Sequence, residues 1–361
     1  MALAQGDRRG EVRHWGTLPN RAISASLPTS SGAMGVSFIS AMRPDRAATA
    51  CTGKLTDLGH DYMVIATSRV QVKAGDRVTT YRCDALMLAK LHRAGELTAV
   101  WGPDTAHEAM RDLVRAWATS VPVAGKVLQH LQGFLRRHGR IFPGKKDWTK
   151  AYRRWLTTVR FEHPAQQIVL QDYIHAVADA EARIERLTRQ NAVPLPSWRL
   201  APVFEAIQAM RGGAFIVAVT VVAEVGDFNR FDNPRQLMAY LGLTPSEHSS
   251  GASVRRGGIT KAGSSLARRA LVEGAPIRSG SYRMQAPQCF REVVSRKLLD
   301  RIEGLPPAVR DIAWKGQLRM CQRYRHLMAA GRPKVMASTA IAREMAGFIW
   351  AIARTVTPAS T

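Results

Sequence analysis

The chain has 361 residues, 46% of them hydrophobic, and carries 52 Lys and Arg against 28 Asp and Glu, a net charge of +24 with a pI near 10.9. That length holds two or three domains and a sizeable core, and such a cationic excess points to a polyanionic partner, because each phosphate neutralised releases a counterion. Four scattered cysteines, Cys51, Cys83, Cys289 and Cys321, form no CxxC pair, which argues against a zinc ribbon or a disulfide framework and makes a reducing cytoplasm the expected setting.

The charges at Asp7, Arg8 and Arg9 precede no apolar core, so no signal peptide is expected. No bilayer-spanning run is expected either, since the most apolar segment, 214–225, is short and interrupted by Thr220 and Glu224.

Residues 1–20 alternate weakly around Gly6-Asp7 and Gly10-Glu11, which suits the return strand of a hairpin. The chain reads as starting in mid-element. Residues 21–50 are rich in Ser, Ala and Gly and carry no period. Residues 55–67 read as a helix end stopped at Gly59 and a buried strand over 62–66. A turn at 75–77, a helix over 84–93 ended by Gly95, and a short β-like run at 97–101 complete an expected α/β domain over 1–105.

A helix is predicted over 107–117. Residues 134–160 are then basic and aromatic together: Lys145, Lys146, Arg153 and Arg154 stand among Phe134, Phe142, Trp148, Tyr152 and Trp155. Two readings stand side by side. The aromatic faces could stack on unpaired bases while the cations hold phosphates, or the helix is solvated on its charged face and its aromatics are core. Residues 166–192 place Leu170, Ile174, Val177, Ile184 and Leu187 on one stripe of a long helix, an arm or a dimerising coiled coil, which ends at Pro194 and Pro196. Residues 203–225 read as helix, Gly212-Gly213 turn, helix. That turn is an ordinary helical hairpin or, less commonly, a backbone cradle for a phosphate. After Gly280 the chain is again helical and basic, ending in a helix over 336–355 with Ile341, Met345, Ile349 and Ile352 on one face.

The stretch 226–269, GDFNRFDNPRQLMAYLGLTPSEHSSGASVRRGGITKAGSSLARR, combines a turn, a short amphipathic helix, Ser249-Ser250-Gly251 and five cations: Arg255, Arg256, Lys261, Arg268 and Arg269. A small nucleophile beside glycine, followed by a basic glycine-rich loop, suits chemistry on a phosphodiester. By base rate Ser-Gly is more often a turn or cap.

This run resembles the C-terminal transposase 20 domain of the IS110 family of insertion-sequence transposases. Residues 73–112, KAGDRVTTYRCDALMLAKLHRAGELTAVWGPDTAHEAMRD, resemble the end of that family's N-terminal DEDD domain, which has a RuvC-like (RNase H-like) fold. Together the resemblance covers most of 55–280. It implies an RNase H-like domain over 1–105, basic helices and a coiled-coil arm over 106–195, a mainly helical transposase 20 domain over 196–285 and basic helices over 286–361.

The resemblance further implies a DNA transposase in which a serine attacks DNA and forms a covalent link. Four acidic residues hold Mg²⁺, an element-encoded guide RNA selects the DNA, and the chains assemble as dimers or tetramers. The serine before glycine is Ser250, with Ser249 as the competing position. Of the acidic set, the first Asp belongs to an opening strand for which this chain has no counterpart, Arg43 falls at the Glu position, and Tyr81 replaces the third acid. Asp84 alone remains as catalytic and metal-binding carboxylate. A single carboxylate holds Mg²⁺ weakly. The expectation is therefore a truncated, degenerate copy that binds nucleic acid and transfers strands poorly.

Overall fold

A computed structural model describes residues 2–4, 12–14, 38–40, 62–65, 81–97, 101–144, 147–250, 253–275 and 296–357. The chain is mostly helical and divides into two compact units, 1–108 and 109–361.

In the first unit β1 (Ala2–Ala4) pairs antiparallel with β2 (Val12–His14), which gives the expected return strand a partner, contrary to the reading of a start in mid-element. β3 (Phe38–Ser40) lies in the stretch where the sequence has no period, and pairs parallel with β4 (Tyr62–Val64). Ile65, next to β4, is 1% exposed, as a buried strand requires. Helix α1 (Tyr81–Arg93) packs against β1, β2 and β3, and ends at Gly95 in the left-handed region. The predicted helix end at 55–59 and most of the β-like run at 97–101 lie outside the described residues.

The second unit contains two apolar clusters. One is built from α2 (Thr105–Arg137), α3 (Lys150–Thr158) and α4 (Pro164–Gln190). Helix α2 extends 20 residues beyond its predicted end and carries Pro122 internally. Thr149 and His163 cap α3 and α4 by accepting from Tyr152 and Ala165 N–H. Leu131, Phe134 and Leu135 of α2 meet Tyr152 and Leu156 of α3 and Leu170 and Val177 of α4. The apolar stripe of α4 thus contributes to a core within the chain. Trp117 Nε1 donates to Thr188 Oγ1, and Arg153 reaches Glu181 through two hydrogen bonds, tying α4 to α2 and α3.

The aromatics of this region are largely core. Tyr152 is 3% exposed and Phe134 5%, with Phe142, Trp148 and Trp155 packed around Tyr152 edge-on or tilted at ring separations of 4.8–5.4 Å. Burial pushes the Tyr152 phenol up to about 12. Of the two readings of the basic-aromatic stretch, the packed stripe is the one observed for these two rings.

The larger cluster unites α5 (Ala201–Ile207), α6 (Phe215–Val225), α7 (Pro234–Tyr240), α8 (Ser265–Gly274), α9 (Arg296–Ile302), α10 (Pro307–Ala329) and α11 (Lys334–Val356). Helix α6 is apolar on every side but for Thr220 and Glu224 and is buried throughout from Ala218 to Val225, as expected of a central helix. The segment set apart in sequence as basic C-terminal helices shares this core: Ile341, Met345, Ile349 and Ile352 of α11 are 0–1% exposed. Helix α11 is, by length and composition, apolar enough to cross a membrane, contrary to the sequence reading. Here one of its faces forms core, and its Glu344 pairs with Arg319 and Arg323 of α10. The Gly212-Gly213 turn serves close packing. A Cβ on Gly212 would lie 2.3 Å from Gly274 O, and one on Gly213 2.4 Å from Ile207 O.

Candidate active site

The candidate site is an exposed hairpin standing on the larger core. Asn233 caps α7, Leu237 of α7 is 0% exposed, and the chain leaves the helix through Gly242 into β5 (Pro245–Glu247). β5 pairs antiparallel with β6 (Arg256–Ile259) after a register shift between Pro245 and Glu247. The tip is closed by reciprocal backbone hydrogen bonds between Ser250 and Ser253, both 3.1 Å, and His248 N–H donates to Arg255 C=O at 2.9 Å. Ser246 Oγ donates across the base to Gly258 C=O. From residue 247 to 258 every described residue is exposed.

Beneath the hairpin lies a tightly fitted return loop. Lys261 and Gly263 have φ of +56° and +63°, and a Cβ on Gly263 would lie 2.0 Å from Tyr240 O. Lys261 N–H donates to Gly242 C=O, and Thr260 N–H to Thr244 C=O. Arg268 donates to the carbonyls of Leu241 and Ala262 at 2.9 and 2.7 Å, bracing the loop from α8. Ser264 caps α8 through Ala267 N–H and at the same time donates to Glu224 Oε2 at 2.9 Å.

Glu224 is a carboxylate inside an otherwise apolar helix, 5% exposed. Arg115 Nε donates to its Oε1 at 2.8 Å and Arg111 lies 3.8 Å from Oε2. Burial alone would push its carboxyl up. The Arg115 hydrogen bond and charge, Arg111 and Ser264 together hold it below the ordinary glutamate value. In sequence it reads only as an interruption of an apolar run. A lone acid in such a helix signals a buried partner, though not which one.

The candidate cations divide by what they already hold. Arg256 Nε donates to Glu247 Oε2 at 3.3 Å, Arg269 pairs with Glu273 one turn along α8, and Arg268 serves backbone carbonyls. Arg255 and Lys261 are exposed and make no side-chain ion pair or hydrogen bond among the described residues. Ser249 Oγ donates to Glu247 Oε1 at 2.8 Å, and this bond, then Arg256, holds the Glu247 carboxyl below its usual value. The Ser250 hydroxyl has no such partner among the described residues. Glu247 and His248 are the site features that the sequence reading did not single out.

Arg153 and Arg154 stand on α3, the first paired with Glu181 and the second exposed. Lys145, Lys146 and Gly251 lie outside the described residues. Asp84 is on α1 in the first unit, and its side chain is likewise outside them. Among the described residues no group of three His, Cys, Asp or Glu comes together to hold a metal ion. Arg43 lies outside the described residues.

Residues 204–291, which include this hairpin and its platform, match the profile of the transposase IS116/IS110/IS902 family. A protein of Sinorhizobium fredii named as a transposase, y4qE, is 44% identical over 357 residues, 98% of this chain and 85% of the relative. The transposase for insertion sequence element IS1533 of Leptospira borgpetersenii is 25% identical over 183 residues, 50% of this chain and 53% of its own. The transposase for insertion sequence element IS1111A of Coxiella burnetii is 39% identical over 71 residues, 20% of each chain. These similarities define an insertion-sequence transposase, a protein that acts on DNA. Within that class, the chain belongs to the IS110/IS116 family.

Proposed function

We propose that the chain joins DNA through nucleophilic attack by Ser250, with Arg255 and Lys261 as phosphate-backbone donors and an element-encoded guide RNA selecting the DNA. The observation that carries this reading is the hairpin itself. Ser250 stands exposed at a closed tip whose base is fixed to a buried core, with Arg255 on the same hairpin and Lys261 at its base, neither in a side-chain ion pair among the described residues. A rigid support under an exposed nucleophile suits attack on a substrate as large as duplex DNA. Arg256, Arg269 and Arg153 would add phosphate contacts by exchanging their carboxylate partners for phosphate, with the exposed Arg154 beside Arg153 in sequence and with Lys145 and Lys146 as further candidate cations.

The first unit we read as the family's RNase H-like domain, on the support of a parallel strand pair and an antiparallel hairpin covered by α1. Asp84 is the one position of that domain's acidic set retained for Mg²⁺. The arm of α2–α4 is our candidate for assembly into dimers or tetramers as a coiled coil, and a cytoplasmic setting fits DNA as substrate.

A second reading is favoured by the acidic set: Arg43 and Tyr81 stand where the family has carboxylates. On this reading the chain binds DNA and RNA and transfers strands feebly or not at all. Strand exchange decides between them. Cognate element ends, guide RNA and Mg²⁺ are incubated with the full chain, and joined products are counted by sequencing. Efficient joining that is lost in Ser250→Ala supports catalysis. Tight binding, weakened steeply by salt and accompanied by no joining, supports the binding remnant.

A further inference from the structure

The hairpin register separates the two adjacent serines. Glu247 pairs with Arg256, the His248 N–H bonds to Arg255, and Ser250 pairs with Ser253, one continuous antiparallel register. Side chains alternate between faces along such a ribbon. One face carries Glu247, Ser249 and Arg256, and their mutual hydrogen bonds demonstrate it. The other face then carries His248, Ser250, Ser253 and Arg255. On the first face the hydroxyl and the guanidinium are both engaged by one carboxylate. On the second, the hydroxyl of Ser250, the imidazole and the guanidinium of Arg255 have no side-chain partner among the described residues.

We infer that His248 is the general base for Ser250 and that Arg255 is the donor to the attacked phosphate. This rests on the reading of Ser250 as nucleophile. His248 and Ser250 are two residues apart, about 6.6 Å at the usual strand rise. That separation brings an imidazole nitrogen within reach of the hydroxyl directly or through one water. Arg255 lies directly across the ribbon from His248 and diagonal to Ser250, where a planar donor meets the phosphate oxygens.

In the step, the Ser250 hydroxyl proton passes to the imidazole, Oγ bonds to phosphorus, and the phosphorus–oxygen bond to the departing nucleoside oxygen breaks. The imidazolium or solvent returns a proton to that oxygen. Ser249 differs because its hydroxyl is held on the opposite face by Glu247, whose basicity the Ser249 hydrogen bond and then Arg256 lower.

A fluorophosphonate probe tests the activation without DNA or metal. Its fluoride leaves as Ser Oγ bonds to phosphorus, and peptide mass spectrometry reads the labelled site and the rate. Labelling at Ser250 is expected, absent in Ser250→Ala and unchanged in Ser249→Ala. In His248→Ala it is slowed about 10²-fold or more and restored by added imidazole, a rescue that a merely structural histidine would not give. Equal labelling of Ser250 in His248→Ala, labelling at Ser249 that depends on Glu247, or no labelling of Ser250 would each overturn the assignment. His248-dependent labelling without any adduct on element DNA would instead count against the transposition chemistry proposed above while leaving the His248 assignment standing.

Discussion

Two glutamates on either side of the site differ in almost every physical respect. Glu224 is 5% exposed and held by Arg115, Arg111 and Ser264, whereas Glu247 is exposed on the hairpin and shared by Ser249 and Arg256. The buried acid is part of the foundation: it joins α2, α6 and the cap of α8, and removing it strands charges in a dry place. The exposed acid is surrounded by water, so its pairs are screened and exchangeable. The contrast separates a region built to stay fixed from one free to trade its partners for a phosphate.

The largest break in the foundation is apolar. Leu237→Ala, at a fully buried position beneath the hairpin, is expected to destabilise the second unit by about 2–5 kcal/mol, read by denaturant unfolding. Next comes Glu224→Gln, at about 2–4 kcal/mol. The figure lies toward the lower side of buried-pair losses because Arg115 is 36% exposed and can rehydrate. Its pH dependence sharpens the point. The folded carboxyl sits below the unfolded value of roughly 4.3, so its contribution is complete above that value and is lost as pH falls through the folded one. Unfolding followed from pH 7 to pH 3 should thus show a steeper acid loss for the native chain than for Glu224→Gln.

Gly263→Ala should cost about 1–2 kcal/mol for the left-handed backbone alone, with a further loss from the contact at Tyr240 O. It should also slow any reaction at Ser250 by shifting the hairpin base. The smallest effect belongs to the exposed pair. Arg256→Ala should leave the melting temperature unchanged while weakening DNA binding and lowering its salt slope by about one. A large stability loss in Arg256→Ala, or none in Glu224→Gln, would erase the distinction between the two regions.

Much of this architecture is legible in the residues. An α6 apolar but for Thr220 and Glu224, the single apolar face of α11, the caps Asn233 and Ser264 and the Gly212-Gly213 turn each follow from local chemistry. The continuation of α2 past Pro122 does not, because tertiary packing of Leu131, Phe134 and Leu135 outweighs one lost hydrogen bond. Nor does the identity of the partner of Glu224, which lies 109 residues away at Arg115. Ser249 and Ser250 are equivalent by composition. Strand alternation gives them opposite faces, and the pairing register, which shifts between Pro245 and Glu247, decides which cross-strand neighbours each face carries.

The proposed chemistry stands or falls on Ser250 as the residue that bonds to DNA. The direct measurement is peptide mapping of any covalent product formed when the full chain, guide RNA, Mg²⁺ and element-end DNA are mixed and the reaction is stopped in denaturant. A nucleotide remnant on Ser250, retained in Ser249→Ala and absent in Ser250→Ala at unchanged DNA affinity, is the predicted result. A remnant on Ser249 or elsewhere, or an adduct of undiminished yield in Ser250→Ala, would contradict it.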